Sequence, residues 1–338
     1  MKKALITGVS GQDGAYLAKF LLNKNYKVIG TTKSLTRINK WRLKKLNIEK
    51  KIIYTQLNLH NKKSIDKVFK KFKFDEFYNF AGHSFVATSF KNALNTANNT
   101  GIGVVRILEN IRKKNNKIKF YQATSSEIFG GSKTIYQNEK SSYNPKNPYA
   151  ISKLFAHLIT GNYREYYNIF AVSGILFNHE SPLRGEEFLT KKIAKGLIKI
   201  INGKQKFIEV GNLDSKRDRG YAKEFVEVMW KMMQQKKPED FVISFGKAYS
   251  VKYFIDLCLK ELNIKGKWIG KNEKRKFVTK ENKTIIKVNH KYIRKKDYKL
   301  IIGDSTKAKK KLNWKPKINI KKLVKIMINE EKKLDSEF

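Results

Sequence analysis

From residue 4 to residue 176, short apolar or β-branched runs alternate with amphipathic helical patterns, and this alternation limits the fold more than any other feature of the chain. A strand that leads into a helix and returns as a strand builds a parallel sheet covered by helices on both faces. Residues 4–7, 27–31, 52–57, 76–80, 119–123 and 170–176 read as strands, and 16–23, 63–72, 93–113 and 149–166 as helices. Six strands in this order predict an α/β fold, a Rossmann-type doubly wound parallel sheet.

The pattern breaks after Phe177. Residues 178–182 read as a loop, 190–201 as a helix and 211–220 as a polar, charged loop; a helix over 221–235 and a strand over 241–245 then return to the sheet. Residues 1–178 are expected to form the dinucleotide-binding domain, with 214–245 returning to it. Residues 179–338 are expected to be largely a smaller mixed α/β substrate lobe that closes over the substrate. The lysine-dense stretch 272–296 reads as a mobile loop, although 284–288 looks strand-like. No internal repeat is found.

A chain of 338 residues with 41% hydrophobic content buries enough apolar surface for a large domain and a smaller one. Its net charge of +44 would ordinarily suggest nucleic acid. The lysines, however, are spread along the chain on expected helix faces, for example Lys70, Lys71 and Lys73, or Lys309, Lys310 and Lys311. No nucleic-acid reading motif accompanies them, so no specific nucleic-acid partner is expected, only weak attraction of polyanions at low salt. Cys258 is the only cysteine, which excludes an intramolecular disulfide, and its apolar helical surroundings make it a core residue. His60, His83, His157, His179 and His290 form no pair at ligand spacing, and no metal is expected. Met1-Lys2-Lys3 is followed by only three apolar residues before Thr7, too few for a signal peptide, and no stretch has the length of a membrane span. A cytoplasmic protein without a membrane partner is expected.

Gly8-Val9-Ser10-Gly11-Gln12-Asp13-Gly14 follows the first strand and opens the first helix. Glycines there let the backbone approach a pyrophosphate, whose charge the helix N-terminus favours. Gly8, Ser10, Gly11, Gln12, Asp13 and Gly14 are therefore candidate cofactor contacts. After the second strand, where an acid would bind the ribose of NAD, the chain has Thr32-Lys33-Ser34 with Arg37 nearby. A cation and hydroxyls suit the 2′-phosphate of NADP. Against this lysine-rich background Lys33 also reads as a surface residue.

Tyr149-Ala150-Ile151-Ser152-Lys153 places a phenol and an ammonium one helical turn apart on one face, and the cation favours the phenolate. The motif follows the fifth strand and is preceded by Asn147-Pro148. That strand closes on Thr124-Ser125-Ser126-Glu127, at the carboxyl end where open α/β sheets bind ligands. Ser125, Tyr149 and Lys153 together can oxidise an alcohol. Glu127, otherwise an ordinary loop or cap carboxylate, becomes a candidate acid/base beside them.

With residues 174–182, 211–218 and 303–308, these motifs resemble the GDP-mannose 4,6-dehydratase family, a branch of the extended short-chain dehydrogenases, over nearly the whole chain. The resemblance implies a hydro-lyase with Ser125, Glu127, Tyr149 and Lys153 as its catalytic set. It implies NADP held by the glycine loop, Lys33, Arg37, Asn58, Leu59, Ala81, Tyr149 and Lys153, and a GDP-sugar held by Ser84, Asn178, Lys192, Arg217 and Arg294. Lys192 also reads as a surface residue, because Lys191 adjoins it. Arg184 matches a loop that reaches a neighbouring subunit's cofactor, which implies a homodimer or homotetramer.

Several positions depart from the family pattern. Ser125 stands for threonine, Asn58 for aspartate, Lys33-Ser34 for an arginine pair, His83 for glutamine, Arg219 for tryptophan, and Lys295 and Asp297 for proline and glutamate. None removes a catalytic group, but cofactor preference and the sugar are left open. The rival readings are an epimerase or 4-keto-sugar reductase on the same scaffold, which would not need Glu127, and a cationic Rossmann protein that binds RNA or another polyanion.

Overall fold

The computed structural model describes residues 1–82, 85–130, 134–293 and 300–336. These divide into two compact units. The first unit holds residues 1–177, 222–243 and 304–315, and the second holds 178–221, 244–303 and 316–338.

The first unit is built on a seven-stranded sheet. From one edge its strands are Ile53–Gln56, Lys27–Thr32, Lys3–Thr7, Glu76–Asn79, Lys119–Ser125, Ala171–Leu176 and Phe241–Ile243. Every pairing is parallel. Counted along the chain the order is 3-2-1-4-5-6-7, the doubly wound arrangement extended by one strand. Ala4, Leu5 and Ile6, like Phe77 with Tyr78 and Phe120 with Tyr121, are fully buried in consecutive pairs or triplets. Such runs leave no polar face because helices cover both sides of a parallel sheet. One layer packs Leu5, Phe77 and Phe120 against Val104, Ile107 and Ala156 of the covering helices.

The expected helix over 93–113 is interrupted. Ala93–Thr96 passes through a π-helical stretch, Ala97–Ile102, into the α-helix Gly103–Lys114. The widened turn packs tightly against its neighbours: a Cβ on Gly101 would stand 3.2 Å from Phe155 and one on Gly103 3.0 Å from Leu59.

In the second unit, Gly266–Ile269, Lys276–Thr279 and Thr284–Val288 form an antiparallel sheet that Ile208–Val210 joins in parallel. Ile193, Leu197, Phe254, Cys258, Ile286 and Met327 belong to one buried apolar cluster there. Burial raises the Cys258 thiol pKa well above its ordinary range, so it is a packing residue and not a nucleophile.

Three expectations are corrected in this unit. Residues 178–182 were expected to be a loop, but Asn178–Glu180 is a strand. Within the expected polar loop 211–220, Lys216–Tyr221 is a strand with Arg217, Asp218 and Arg219 buried. The two strands pair in parallel, and Ala248–Ser250 and Leu300–Gly303 flank the second. Within the lysine-rich stretch, Lys276–Thr279 and Thr284–Val288 form a paired hairpin, in which Phe277 and Ile286 face one another and are buried.

Candidate active site

Unit 1 presents its candidate chemistry at the carboxyl end of the sheet, where the strand order reverses. Gly8 has a positive φ of 67°, and its carbonyl accepts the Gly11 N–H at 2.9 Å. A Cβ on Gly14 would lie 2.3 Å from that same carbonyl oxygen, so only glycine lets the helix Gln12–Leu22 start this close to the strand. Gly11 heads the helix without a side-chain cap, the arrangement that turns backbone N–H groups toward an anion. These features fit a dinucleotide pyrophosphate. Ser10 and Asp13 share this loop and first turn, and Gln12 Nε2 donates to Asp13 Oδ1 at 3.1 Å.

No acid ends the strand Lys27–Thr32. Thr32 Oγ1 donates to the Ser34 carbonyl at 3.0 Å and Gln56 Nε2 to that of Lys33 at 2.9 Å, which fixes the turn while the Lys33 and Arg37 side chains stay exposed. The residue that sequence reasoning missed is Arg42. Its guanidinium lies 4.5 Å from the Trp41 ring and donates to the Ser10 carbonyl at 3.1 Å, joining the helix Trp41–Lys45 to the glycine loop. An arginine among lysines was the only cue, since the two residues are 32 positions apart.

Asn58 and Leu59 follow the strand Ile53–Gln56; the Asn58 carboxamide accepts the His60 N–H at 3.1 Å, and Leu59 is buried beside Gly103. Ala81 follows the strand Glu76–Asn79, its N–H donating to Thr7 Oγ1 at 3.0 Å. His83 and Ser84 lie outside the described residues.

The four candidate catalytic side chains come from three elements. Ser125 ends the strand Lys119–Ser125, and its hydroxyl accepts the Glu127 N–H at 3.3 Å, which starts the one-turn helix Ser126–Ile128. Tyr149 and Lys153 share the helix Pro148–Tyr167, which Asn147 caps by accepting the Ala150 N–H at 2.8 Å. Asn147 does more than cap. Its Nδ2 donates to Glu127 Oε2 at 3.1 Å, so the residue that starts the tyrosine helix also orients the carboxylate. The sequence offered only its place before Pro148.

Lys153 is buried, with Nζ donating to the Ala123 carbonyl at 2.7 Å and lying 5.8 Å from the centre of the Tyr149 ring. Desolvation pulls its pKa down to about 8, partly opposed by the charge of Asp13. A buried ammonium beside a buried phenol is chemically able to remove a proton from an alcohol.

The second unit carries its polar groups on the strand Lys216–Tyr221. Asp218 accepts the N–H groups of Phe245, Gly246 and Gly303 at 2.9, 2.8 and 3.3 Å, which pins one face of the strand. Alternation then puts Arg217 and Arg219 on the other face, and Arg219 lies opposite Asn178 in register. Arg217 donates to the Lys216 carbonyl at 2.9 Å, and Arg219 to that of Tyr249 at 3.0 Å. Burial lowers the Arg219 pKa to about 10, with the charge of Glu180 opposing it, while its Nε–H has no partner. A buried cation stands where the sequence showed only a departure from the family pattern.

The structure separates the adjacent lysines. Lys191 is buried and paired with Glu331, whereas Lys192 rests 3.8 Å from the Tyr292 ring centre. Arg184 pairs with Glu180 at 3.2 Å and stacks 3.7 Å from the Phe188 ring centre. Arg294, Lys295 and Asp297 lie outside the described residues. Among the described residues no group of His, Cys, Asp and Glu could hold a metal ion, and no helix is long and apolar enough to cross a membrane.

The fold is shared with proteins of known structure. A dTDP-glucose 4,6-dehydratase from Bacillus anthracis, solved with NAD, superposes with a TM-score of 0.82 at 19% identity, covering 99% of this chain and 98% of that one. A Pseudomonas aeruginosa protein described as RMD, solved with NADPH, does so at 0.76 and 16%, covering 99% and 100%. At these identities the likeness defines the fold, a Rossmann-type α/β architecture. Sequence defines the family. The family described as GDP-mannose 4,6 dehydratase matches residues 5–327. The human GDP-mannose 4,6 dehydratase is 41% identical over 98% of this chain and 91% of its own length. That of Vibrio cholerae serotype O1 is 40% identical, over 97% and 92%. This chain belongs to the GDP-mannose 4,6-dehydratase family.

Proposed function

We propose that this protein is an NADP-dependent nucleotide-sugar 4,6-dehydratase that converts GDP-mannose to GDP-4-keto-6-deoxymannose. The observation that carries the reading is Glu127, a carboxylate oriented by Asn147 beside the Ser125, Tyr149 and Lys153 set. An epimerase or a keto-reductase would use the other three and leave Glu127 without a task. The family's relatives are themselves named as GDP-mannose dehydratases.

The bound nicotinamide would supply a hydride acceptor for C4 and a donor for C6. Tyr149, as the phenolate favoured by the Lys153 charge, removes the O4 proton, and the Ser125 hydroxyl holds the same oxygen. The 4-ketone that results acidifies C5. Glu127 takes the C5 proton and hands a proton to the departing C6 hydroxyl, so water is lost and the carboxylate ends as it began. On the second unit, Arg217 supplies a forked donor for the diphosphate, Lys192 a point charge and Asn178 an amide. Arg294 and Ser84 complete the proposed substrate set.

The absence of an acid after the strand Lys27–Thr32, with Lys33, Arg37 and Arg42 nearby, supports NADP over NAD. Asn58, Leu59 and Ala81 follow the ends of neighbouring strands, and Arg184 would serve a partner's cofactor. A homodimer or homotetramer in the cytoplasm is the proposed form. Its support is an exposed apolar stripe on the tyrosine helix, where Ile151, Phe155 and Leu158 are 56%, 45% and 53% exposed.

Incubation of purified protein with GDP-mannose, and separately with UDP- and dTDP-glucose, tests the reading by mass. Loss of water from GDP-mannose is expected. Epimerisation of any of these sugars without loss of water would overturn it. Denatured protein is expected to release NADP, and release of NAD alone would reverse the cofactor reading.

A further inference from the structure

Beneath the catalytic set runs a chain of buried amides whose orientation follows from its first member. Thr7 Oγ1 accepts the N–H groups of Phe80 and Ala81, each at 3.0 Å, so its own proton goes to Asn79 Oδ1 at 2.7 Å. That turns the Asn79 nitrogen toward Gln122 Oε1 at 2.8 Å, and the Gln122 nitrogen toward the Ala123 carbonyl at 2.9 Å. This is the carbonyl that receives Lys153 Nζ at 2.7 Å. Thr7, Asn79 and Gln122 are no more than 1% exposed, so bulk water does not compete for these bonds.

We propose that Gln122 is a positioning residue: the Thr7–Asn79–Gln122 relay fixes the carbonyl that anchors Lys153 and so governs the proton that Lys153 carries beside Tyr149. The geometry stands by itself, while its place in catalysis rests on the dehydratase reading. The relay has one sense. The Gln122 N–H presents the positive end of its dipole to the oxygen that also holds the ammonium, so it steadies that oxygen while weakening its grip on the charged form. This adds to the effect of burial, which already lowers the proton affinity of Lys153. Among the described residues the groups facing Lys153 are Asp13, from the helix Gln12–Leu22, and Tyr149, on its own helix. Asp13 acts in the opposite direction to burial.

The test uses the full chain labelled with 15N at lysine side chains, with K153M assigning the Lys153 signal. Burial slows exchange of its ammonium protons, which distinguishes it from exposed lysines. The parent signal is expected to titrate near pH 8. Q122E, which sets an acceptor where the donor was, is expected to raise the midpoint by on the order of one pH unit. Its kcat for dehydration should fall by about tenfold with KM unchanged, and its alkaline limb should follow the midpoint. T7V frees the Asn79 amide to turn over and is expected to move the midpoint in the same direction by less, while T7S restores the parent midpoint. If Q122E fails to fold, the T7V and T7S pair decides. Unmoved midpoints in folded Q122E and T7V overturn the proposal, as does a moved midpoint that the alkaline limb does not follow. A moved midpoint in a protein that dehydrates no GDP-sugar would keep the relay and sink the dehydratase reading instead.

Discussion

The two units hold their functional side chains by opposite means. In the first, Glu127 and Lys153 are fixed through uncharged partners, the Asn147 amide and the Ala123 carbonyl. A charge held by neutral dipoles keeps its capacity to exchange a proton. In the second, a carboxylate takes three backbone N–H groups, and cations line the other face of the same strand. Asp218 pins the strand that carries Arg217. On the proposed function the contrast is between groups placed for proton transfer and groups placed for binding.

Glu127→Gln breaks the first arrangement most severely. It leaves Asn147 a hydrogen-bond acceptor but removes the base, so product formation is expected to fall by about 10²–10⁴-fold. Exchange of the C5 hydrogen with solvent should be lost, while GDP binding in titration calorimetry stays at the parent level. An unchanged rate would refute the assignment.

Lys191→Met tests the opposite side of the comparison. It leaves Glu331 buried without its cation, and thermal or denaturant unfolding should show a loss of about 3–5 kcal/mol. Parent-like stability would mean that the pair is not closed in solution.

Arg217→Met removes the forked donor and is expected to weaken GDP binding by about 10- to 100-fold, the range for a hydrogen bond to a charged group. Its melting curve should stay near that of the parent, since Asp218 still pins the strand. A lower kcat at unchanged KM would instead place Arg217 in the chemistry.

For the pH dependence, burial lowers the pKa of Lys153, so the group is charged below about pH 8 and neutral above it. The rate is expected to fall as pH rises through that value, because the charge that favours the Tyr149 phenolate is lost. A flat profile from pH 7 to about 10, beyond the displaced value, would separate Lys153 from the rate.

Lys192→Gln should have the smallest effect. It removes a half-exposed point charge resting on Tyr292, and only a few-fold rise in KM is expected, with stability within about 0.5 kcal/mol of the parent. A change in stability as large as that of Lys191→Met would erase the distinction between the two lysines.

Much of the first unit was legible because its signals are local. Glycine spacing, a five-residue Tyr-to-Lys interval and alternating strand and helix periods each lie within one short window. The second unit was misread where the signal is distant. Lys216-Arg217-Asp218-Arg219 looks like a charged loop because the donors that satisfy Asp218 stand at 245, 246 and 303. The same limit hid Asn147, whose second partner is 20 residues away, and Arg42, which bonds Ser10.

By itself the sequence determined the doubly wound fold and the place of Ser125 and Glu127 at the end of the fifth strand, since periodicity and motif spacing are properties of neighbouring residues. Only the tertiary structure decided which of two adjacent lysines is buried, that a run of charges forms a strand, and that Gln122 and Lys153 share one carbonyl. Burial and hydrogen-bond partnership are set by groups brought together from distant parts of the chain, and no local pattern encodes them.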